Sequence, residues 1–333
     1  MAWGGFQTTC IKIPLNPPFP KGDAVVFISG GNCRTHDCSG VFDRNFSVDA
    51  FLINLLNGLS WGMLLFLISM GLTTVFGVMG VLNFAHGSLF MLGAYVCLQL
   101  MRWSGSFWIG LLLGPPVVAA LSVFIERFLL RPLYGRDTGF QLLLTFGIML
   151  FLDDGVRIIW GPAYHVVNPP VMLAGVVHIF SQTYPVYRIF LVILGPLVGI
   201  ALWAFFTFTR WGKILRAAAM DRQMAEIVGV RVPMLFTAVF AFGAWLAALG
   251  GALAAPHQSV GPAMGERIII ESFIVVVIGG MGSFPGAFIG AIILGLLNSF
   301  GTTLMPNIQM ALPYILLTVI LLTRPKGLFG GET

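Results

Sequence analysis

Long apolar stretches separated by short polar segments make up most of the chain after residue 49. A helix needs about 20 apolar residues to cross the hydrocarbon core of a bilayer. Because backbone groups in lipid must satisfy their own hydrogen bonds, we expect these stretches to be helical. The pattern predicts an all-α polytopic membrane protein with about eight or nine transmembrane or half-membrane helices. The predicted segments are 50–82, 88–101, 107–125, 141–160, 189–209, 233–255, 268–280, 287–305 and 310–322.

Three of these segments have unusual lengths. Segment 50–82 is much longer than one crossing, so it is expected to tilt, to break or to begin with an interfacial part. Segments 88–101 and 268–280 are too short to cross easily.

Two interruptions predict broken helices, one near 83–87 and one near 279–286. The first is a polar pentapeptide, and the second holds four glycines and a proline in eight residues. Non-helical backbone at membrane depth is tolerated only where it is buried in protein or lines a watery cavity, and in transporters such breaks often mark the substrate path. For the side chains of the first break, capping of freed backbone groups is the alternative, and the two roles are compatible. The candidate path residues are Asn83, His86, Gly87, Gly279, Gly280 and Gly282.

Composition and charge exclude a soluble protein. Hydrophobic residues make up 57 % of the chain and charged residues 9 %, against about 25 % charged in soluble domains. Ten Lys and Arg residues cluster in 127–137, 210–231 and 324–326, as is typical of cytoplasmic loops. The net charge of +5 is therefore topological, and no nucleic-acid partner is expected. This orientation places 161–187 and 256–267 outside.

Three charged residues lie late in segment 141–160. Asp153 and Arg157 are four residues apart and predict a neutralising pair near the outer surface, with Asp154 beside them. The alternative is a proton or ion relay, as in a secondary transporter. No second His, Cys or carboxylate stands at helical spacing from His86, so we expect no metal site. No nucleophile–base pair is evident either, and no enzymatic activity is expected.

Residues 1–49 are predicted to be a loop-rich extension or the result of a start codon assigned too early. Prolines interrupt the region, and it has no signal-peptide pattern. Cys33 and Cys38 could form a disulfide in an oxidising compartment, or remain free thiols.

The loop 210–231 is rich in helix-forming residues and ends near Gly229, a natural helix C-cap. Its apolar residues among charges suit docking into a groove of a cytosolic partner, and a solvated inside loop explains it equally well. Elsewhere, the steps of small residues at 243–251 and 286–295 predict close helix packing.

At this point the sequence resembles a known family. Residues 71–95 (GLTTVFGVMGVLNFAHGSLFMLGAY) are similar to the first signature of bacterial ABC-importer permeases for branched-chain amino acids, and 210–230, 279–286 and 324–330 fit the same family. The resemblance covers about 50–330 and favours the shorter of the two permease types that pair in this family.

The resemblance implies a permease domain over 50–330 in the bacterial inner membrane, without cofactors. It implies as partners two cytosolic ABC ATPases, a second and longer permease, and an extracytoplasmic solute-binding protein. Branched-chain amino acids, urea, amides and aromatic acids are all substrates within reach of the resemblance. By analogy, the cytoplasmic loop 210–231 would hold a coupling helix whose contact residues are Arg216, Asp221, Ala225, Val228 and Gly229. The competing hypothesis is an ion-coupled secondary transporter acting alone.

Overall fold

The computed structural model of the protein describes residues 48–179 and 182–329. Within these ranges the chain forms eleven α-helices and one two-stranded hairpin. The helices are α1 (Val48–Met79), α2 (Ala85–Ser104), α3 (Phe107–Ile125), α4 (Thr138–Trp160), α5 (Val186–Phe208), α6 (Arg210–Met220), α7 (Arg222–Ile227), α8 (Val232–Ala254), α9 (Met264–Gly279), α10 (Phe284–Leu304) and α11 (Leu312–Thr323).

The all-α polytopic prediction is confirmed. Each of the nine predicted segments is a helix, and 210–231 contains the two short helices α6 and α7. Five helices, α1, α3, α5, α8 and α10, are long and apolar enough to cross a membrane. The predictions for the extension 1–49 and for Cys33 and Cys38 lie outside the described residues, except that Val48 and Asp49 begin α1.

A short antiparallel hairpin links α4 to α5. Strands β1 (Val176–Ile179) and β2 (Gln182–Pro185) pair with Val176 opposite Pro185. An isolated bridge between His165 and Val260 ties the segment after α4 to the segment after α8. These connections place the beginning of α5 beside the end of α8.

Helix α1 is the centre of the bundle. It runs for 32 residues without a break, about 50 Å at 1.5 Å per residue, so of the predicted alternatives a break is wrong, while tilt and an interfacial part stay predictions. Its residues are buried without interruption from Gly62 to Val75. A helix that is apolar on all sides has to be enclosed by others, and α5, α8, α9 and α10 surround it.

Small residues bring the helices around α1 into backbone contact. A Cβ added to Gly62 would lie 2.9 Å from the carbonyl oxygen of Ala291 in α10. On another side, Gly71 of α1 faces Gly243 of α8 equally closely, and Gly290 of α10 faces the carbonyl of Val275 in α9. The prediction that these small-residue steps serve packing is confirmed, because only residues without a large side chain allow such approaches.

Both helix breaks are present, but shifted from their predicted bounds. The first covers 80–84 rather than 83–87, because α1 ends before Gly80, which has φ +68°. His86 and Gly87 therefore belong to the first turn of α2. The second is a tight turn at 280–283, in which Gly280 and Gly282 have φ of +97° and +86°. Left-handed backbone of this kind favours glycine.

The second membrane segment is longer than predicted. Helix α2 has 20 residues instead of the 14 of 88–101, because it includes the polar residues at both ends of the apolar run. The predicted length is therefore wrong, although α2 is not among the five helices that are both long and apolar enough to cross a membrane. Helix α9, with 16 residues, is short as expected.

The packing of α1 against α8 gives a test of the fold. An alanine Cβ at position 71 would lie 2.6 Å from the Gly243 carbonyl oxygen and 2.9 Å from His86 Nε2. We expect Gly71→Ala to cost about 1–3 kcal/mol, because the helices must move apart. The measurement is the temperature at which detergent-solubilised protein loses its monodisperse gel-filtration peak.

Gly147→Ala in α4 is the matched control, since nothing lies within 4 Å of the added Cβ. Alanine is a better helix former than glycine, so this variant should be unchanged or slightly more stable. Equal losses for the two variants would contradict the close approach of α1 and α8.

Candidate functional site

One end of the bundle carries the two short helices α6 and α7. Helices α6 and α7 pack against the end of α1, the end of α3 and the beginning of α8. Their contact residues form one buried apolar cluster that includes Val75, Val81, Ile125, Leu130, Leu215, Ala218, Ala225 and Leu235. We call this end of the bundle the α6–α7 end and the other the opposite end.

The polar residues of the first break are completely buried. Asn83 and His86 both have 0 % exposure. His86 Nε2 donates a hydrogen bond to the carbonyl oxygen of Ile68 at 3.1 Å, which reaches into the middle of α1. Within the described ranges, His86 Nδ1 and both side-chain polar atoms of Asn83 have no hydrogen-bond partner. Gly87 packs directly on the Gly265 carbonyl, so α9 closes this site from another side.

A carboxylate from α4 reaches the same region. The Ser88 hydroxyl donates a hydrogen bond to Asp153 Oδ1 at 2.7 Å, and Asp153 is 8 % exposed. Arg157 instead pairs with Asp154 at 3.2 Å, one position later than predicted, and both of these side chains are exposed. The expected salt bridge between Asp153 and Arg157 is therefore wrong in its partner, because the helix turns Asp153 inward toward α2.

The second break is fixed by contacts with the chain terminus. Gly279 and Gly286 touch through their backbones, which closes the turn between α9 and α10. The amides of Leu328 and Phe329 donate to the carbonyl oxygens of Ile278 and Gly279 at 2.8 and 3.1 Å. The turn therefore satisfies the carbonyls that the end of α9 leaves free.

The second break also lies at the α6–α7 end. A Cβ on Gly77, near the end of α1, would lie 3.2 Å from Cα of Gly282. The predicted path residues Gly279, Gly280 and Gly282 are thus beside the end of α1. Asn83 lies in the first break, and His86 lies in the first turn of α2.

Helices α6 and α7 are held by side-chain caps and one apolar face. Thr209 accepts a hydrogen bond from the Gly212 amide at 3.0 Å, and Asp221 Oδ1 accepts one from the Met224 amide at 2.9 Å. These caps satisfy amides that the helix starts leave without partners. Ala225 is 7 % exposed and faces the protein. It is therefore an anchor of α7 and not part of an outward surface.

The outward side of this pair carries exposed apolar residues among charged ones. We define the α7 patch as the exposed side chains Met220, Met224, Ile227 and Val228, whose exposure is 90, 55, 79 and 76 %. Arg216 is exposed on α6, and Gly229 ends the segment with φ +93°. Of the five predicted coupling residues, the structure therefore exposes Arg216, Asp221, Val228 and Gly229 and buries Ala225.

A polar cavity of about 460 Å³ at the opposite end was missed by the sequence reasoning. It lies among the beginnings of α1, α5 and α9, the end of α10 and the segment after α8. Among its lining residues are Asn54, Asn57, Trp61, Arg188, His257, Arg267, Glu271, Asn298, Thr302 and Thr303. A signal was available, since Asn54, Asn57 and Trp61 recur on one helix face and Glu271 interrupts an apolar run.

Glu271 is the acidic group of this cavity. It is 8 % exposed and accepts hydrogen bonds from Trp61 Nε1 at 3.0 Å and from Asn298 Nδ2 at 3.4 Å. Arg267 Nε lies 3.7 Å from its other oxygen, on a side chain that is 75 % exposed. The buried carboxylate is therefore held mainly by neutral donors from α1 and α10.

Arg188 and His257 form another side of the cavity. Arg188 Nη1 donates to Asn57 Oδ1 at 2.5 Å. The His257 ring stacks on Trp61, with centroids 5.9 Å apart. Burial, and to a lesser extent the nearby Arg188 guanidinium, lower the pKa of His257 to about 4. His257 is therefore neutral at pH 7, and Arg188 supplies positive charge.

The family model described as "Branched-chain amino acid transport system / permease component" matches residues 54–322. The chain belongs to this permease family. LivH, the permease protein of a high-affinity branched-chain amino acid transport system in Escherichia coli K12, is 30 % identical over 295 residues, covering 84 % of this chain and 96 % of LivH.

Two further similar proteins are also described as branched-chain amino acid permeases. BraD of Pseudomonas aeruginosa, a permease protein of a system of the same description, is 30 % identical over 299 residues, with 84 % and 96 % of the two chains covered. A probable LivH of Methanocaldococcus jannaschii is 28 % identical over 292 residues, covering 81 % and 89 %. The permease-family match includes both breaks, α6, α7 and the cavity, so each candidate site lies in the shared part of the chain.

The cap of α7 gives a test of the site geometry. We expect Asp221→Ala to weaken α7 by about 1 kcal/mol, because the Met224 amide loses its acceptor. Amide hydrogen exchange of residues 222–227 should then be roughly fivefold faster. Asp221→Asn is the matched control, since asparagine caps as well and should retain slow exchange. Equal exchange in the two variants would contradict the cap.

Proposed function

We propose that this chain is the membrane-spanning permease subunit of an ABC importer for small polar solutes, with branched-chain or related amino acids as its substrates. Membership of the permease family supports transport, and relatives described as branched-chain amino acid permeases support the substrate class. The chain would act without enzymatic activity of its own. The sequence has no G-x-x-x-x-G-K-[ST] loop for nucleotide phosphates, so ATP hydrolysis would come from partner subunits.

The orientation we propose places the α6–α7 end in the cytosol. The basic clusters at 127–137, 210–231 and 324–326 come together at this end through the contacts of α3, α6 and the chain terminus. Lys and Arg resist translocation and collect in cytoplasmic loops. Within the bacterial inner membrane, the polar cavity would then open toward the solute-binding protein.

The single observation that carries the proposal is the exposed α7 patch. Four exposed apolar side chains lie from the end of α6 to the residue after α7, in a segment that also carries the exposed Arg216. Contiguous exposed apolar groups rimmed by charge are typical of protein–protein contacts. We propose that each of two ABC ATPases docks at such a patch, one on this chain and one on a second, longer permease.

Docking at the patch would be transmitted to the proposed path. Ala225 and Leu215 connect α7 and α6 to Val81 of the first break through one apolar cluster. Movement of α7 would therefore displace the 80–84 segment and the adjacent Asn83 and His86. The proposed path runs along these residues and the turn formed by Gly279, Gly280 and Gly282, with Gly87 at the contact between α2 and α9.

Reconstitution tests the proposal against its alternative. The chain is placed in proteoliposomes with its ATPases, second permease and solute-binding protein, and uptake of labelled L-leucine is measured. We expect uptake that requires ATP and persists with an uncoupler. Uptake by the chain alone, abolished by the uncoupler and indifferent to ATP, would establish the ion-coupled secondary transporter instead.

A substitution in the α7 patch tests the docking surface. Val228→Asp should weaken ATPase binding by at least about tenfold, because a charge would be buried in the centre of an apolar contact. The measurement is the amount of ATPase that co-purifies with the tagged permease. Val228 is preferred to Asp221, whose charge reversal would also remove the α7 cap.

The control for this variant is Met310→Asp. Met310 is 87 % exposed and lies at the opposite end of the bundle, so ATPase co-purification should not change. If Val228→Asp retains the ATPase as well as Met310→Asp does, the docking role of the patch is wrong.

A further inference from the structure

We propose that the cavity at the opposite end binds the zwitterionic head group of an α-amino acid, with Glu271 receiving the ammonium group and Arg188 the carboxylate. This inference rests on the proposed function and deepens it, because it assigns a substrate-binding site within the permease itself.

Glu271 has unused capacity to accept hydrogen bonds. An ionised carboxylate offers about four acceptor sites. Trp61 and Asn298 occupy one oxygen, Oε2, and the second of these contacts is long at 3.4 Å. The other oxygen forms an ion pair with Arg267 Nε at 3.7 Å, which is beyond hydrogen-bonding distance and involves a side chain that is 75 % exposed. This oxygen can therefore still accept a hydrogen bond from a second cation, and a ligand ammonium group would supply one.

Arg188 has unused donors of the opposite kind. A guanidinium carries five N–H groups, and the fork they form matches a carboxylate. Arg188 is half-buried and donates to the neutral amide of Asn57. In the described part of the chain no carboxylate forms an ion pair with Arg188. Among the described residues, the cavity thus has a cationic group that forms no ion pair with a carboxylate.

Both charged groups are hydrogen-bonded to the same stretch of α1. Glu271 is bonded to Trp61 and Arg188 to Asn57, four positions earlier on the same helix. Four residues rise about 6 Å along an α-helix, so the two α1 residues are about one turn apart. The proposal requires that one amino-acid head group, with a hydrogen bond of about 2.9 Å on each side, bridges the two charged groups.

The remaining walls fit the rest of an amino acid. The stacked rings of Trp61 and His257 provide a flat surface for an apolar side chain. Since His257 is uncharged at pH 7, it does not compete with Arg188 for the carboxylate. Thr302 and Thr303 of α10 line the cavity near its exposed rim. A volume of about 460 Å³ admits an amino acid with water.

Protection from labelling tests occupancy without altering the charged groups. Thr302→Cys is introduced into a chain whose natural cysteines are replaced, and labelling by a maleimide is followed in the assembled transporter. We expect millimolar L-leucine to slow labelling at least about threefold. Isoamylamine and 4-methylpentanoate, each lacking one of the two charges, should protect much less, and urea should not protect.

Ser104→Cys is the matched control for labelling. Ser104 is exposed at the same end of the bundle but does not line the cavity, so leucine should not affect it. Equal protection by leucine and isoamylamine would overturn the role of Arg188. Protection by urea alone would show a neutral amide site instead, and no protection by any of the four solutes would overturn the site.

Neutralising substitutions test the two charges separately in the reconstituted transporter. Glu271→Gln and Arg188→Gln should each raise KM for leucine uptake by about tenfold to a hundredfold, since each loses a charge-assisted hydrogen bond to the solute. ATPase co-purification, which reports assembly, should not change. Asp154→Asn and Arg157→Gln neutralise an exposed pair outside the cavity and should leave KM unchanged.

The outcomes separate this inference from the proposed function. If ATP-dependent leucine uptake is present but Glu271→Gln and Arg188→Gln match the controls, the cavity assignment is wrong and the importer function stands. If the unmodified transporter has no ATP-dependent uptake, the proposed function itself fails. If Glu271→Gln also loses the co-purifying ATPase, this carboxylate has a structural role, and its role in binding is overturned.

Discussion

The requirement that backbone groups in lipid be hydrogen-bonded within the protein determines the arrangement of this bundle. Every crossing is helical, and each departure from a helix is either enclosed or placed at an end. The free carbonyls at the end of α9 are met by amides of residues 328 and 329. The 80–84 segment is closed in by α4, whose Thr145 hydroxyl donates to the Leu82 carbonyl at 3.3 Å. Both breaks are therefore held by hydrogen bonds from other parts of the chain, while Gly80, Met281 and Gly282 remain exposed.

The same enclosure buries polar side-chain atoms at the first break that have no hydrogen-bond partner among the described residues. Asn83 presents two polar atoms and His86 one that have no hydrogen-bond partner among the described residues, and both side chains are fully buried. Buried polar groups in proteins are normally hydrogen-bonded, to protein or to water. These three atoms are therefore the ones that water or a polar solute would meet at the first break.

The apolar pattern predicted the helices well, because the length of a crossing is set by the membrane and not by partners in the fold. The same pattern placed the first break three residues too late. Whether Ala85 and His86 belong to a helix depends on α1 and α9 packing against them. The pattern also paired Arg157 with Asp153, because helical spacing alone does not say which carboxylate faces inward. The cavity was missed for a related reason. Glu271 and Trp61 are 210 positions apart, and only the tertiary fold makes them neighbours.

The cavity and the α7 patch lie at opposite ends of the bundle, and closely packed residues lie between them. Between these two ends, the residues of α1 from Gly62 to Val75 are buried without interruption, and Asn83 and His86 are fully enclosed. A solute in the cavity therefore faces closed packing in this arrangement. The apolar cluster that holds α6 and α7 also holds Val81 and Ala85, on both sides of Asn83. In the docking proposal, a displacement of α7 would therefore be passed to the 80–84 segment, because close-packed side chains transmit displacement rather than absorb it.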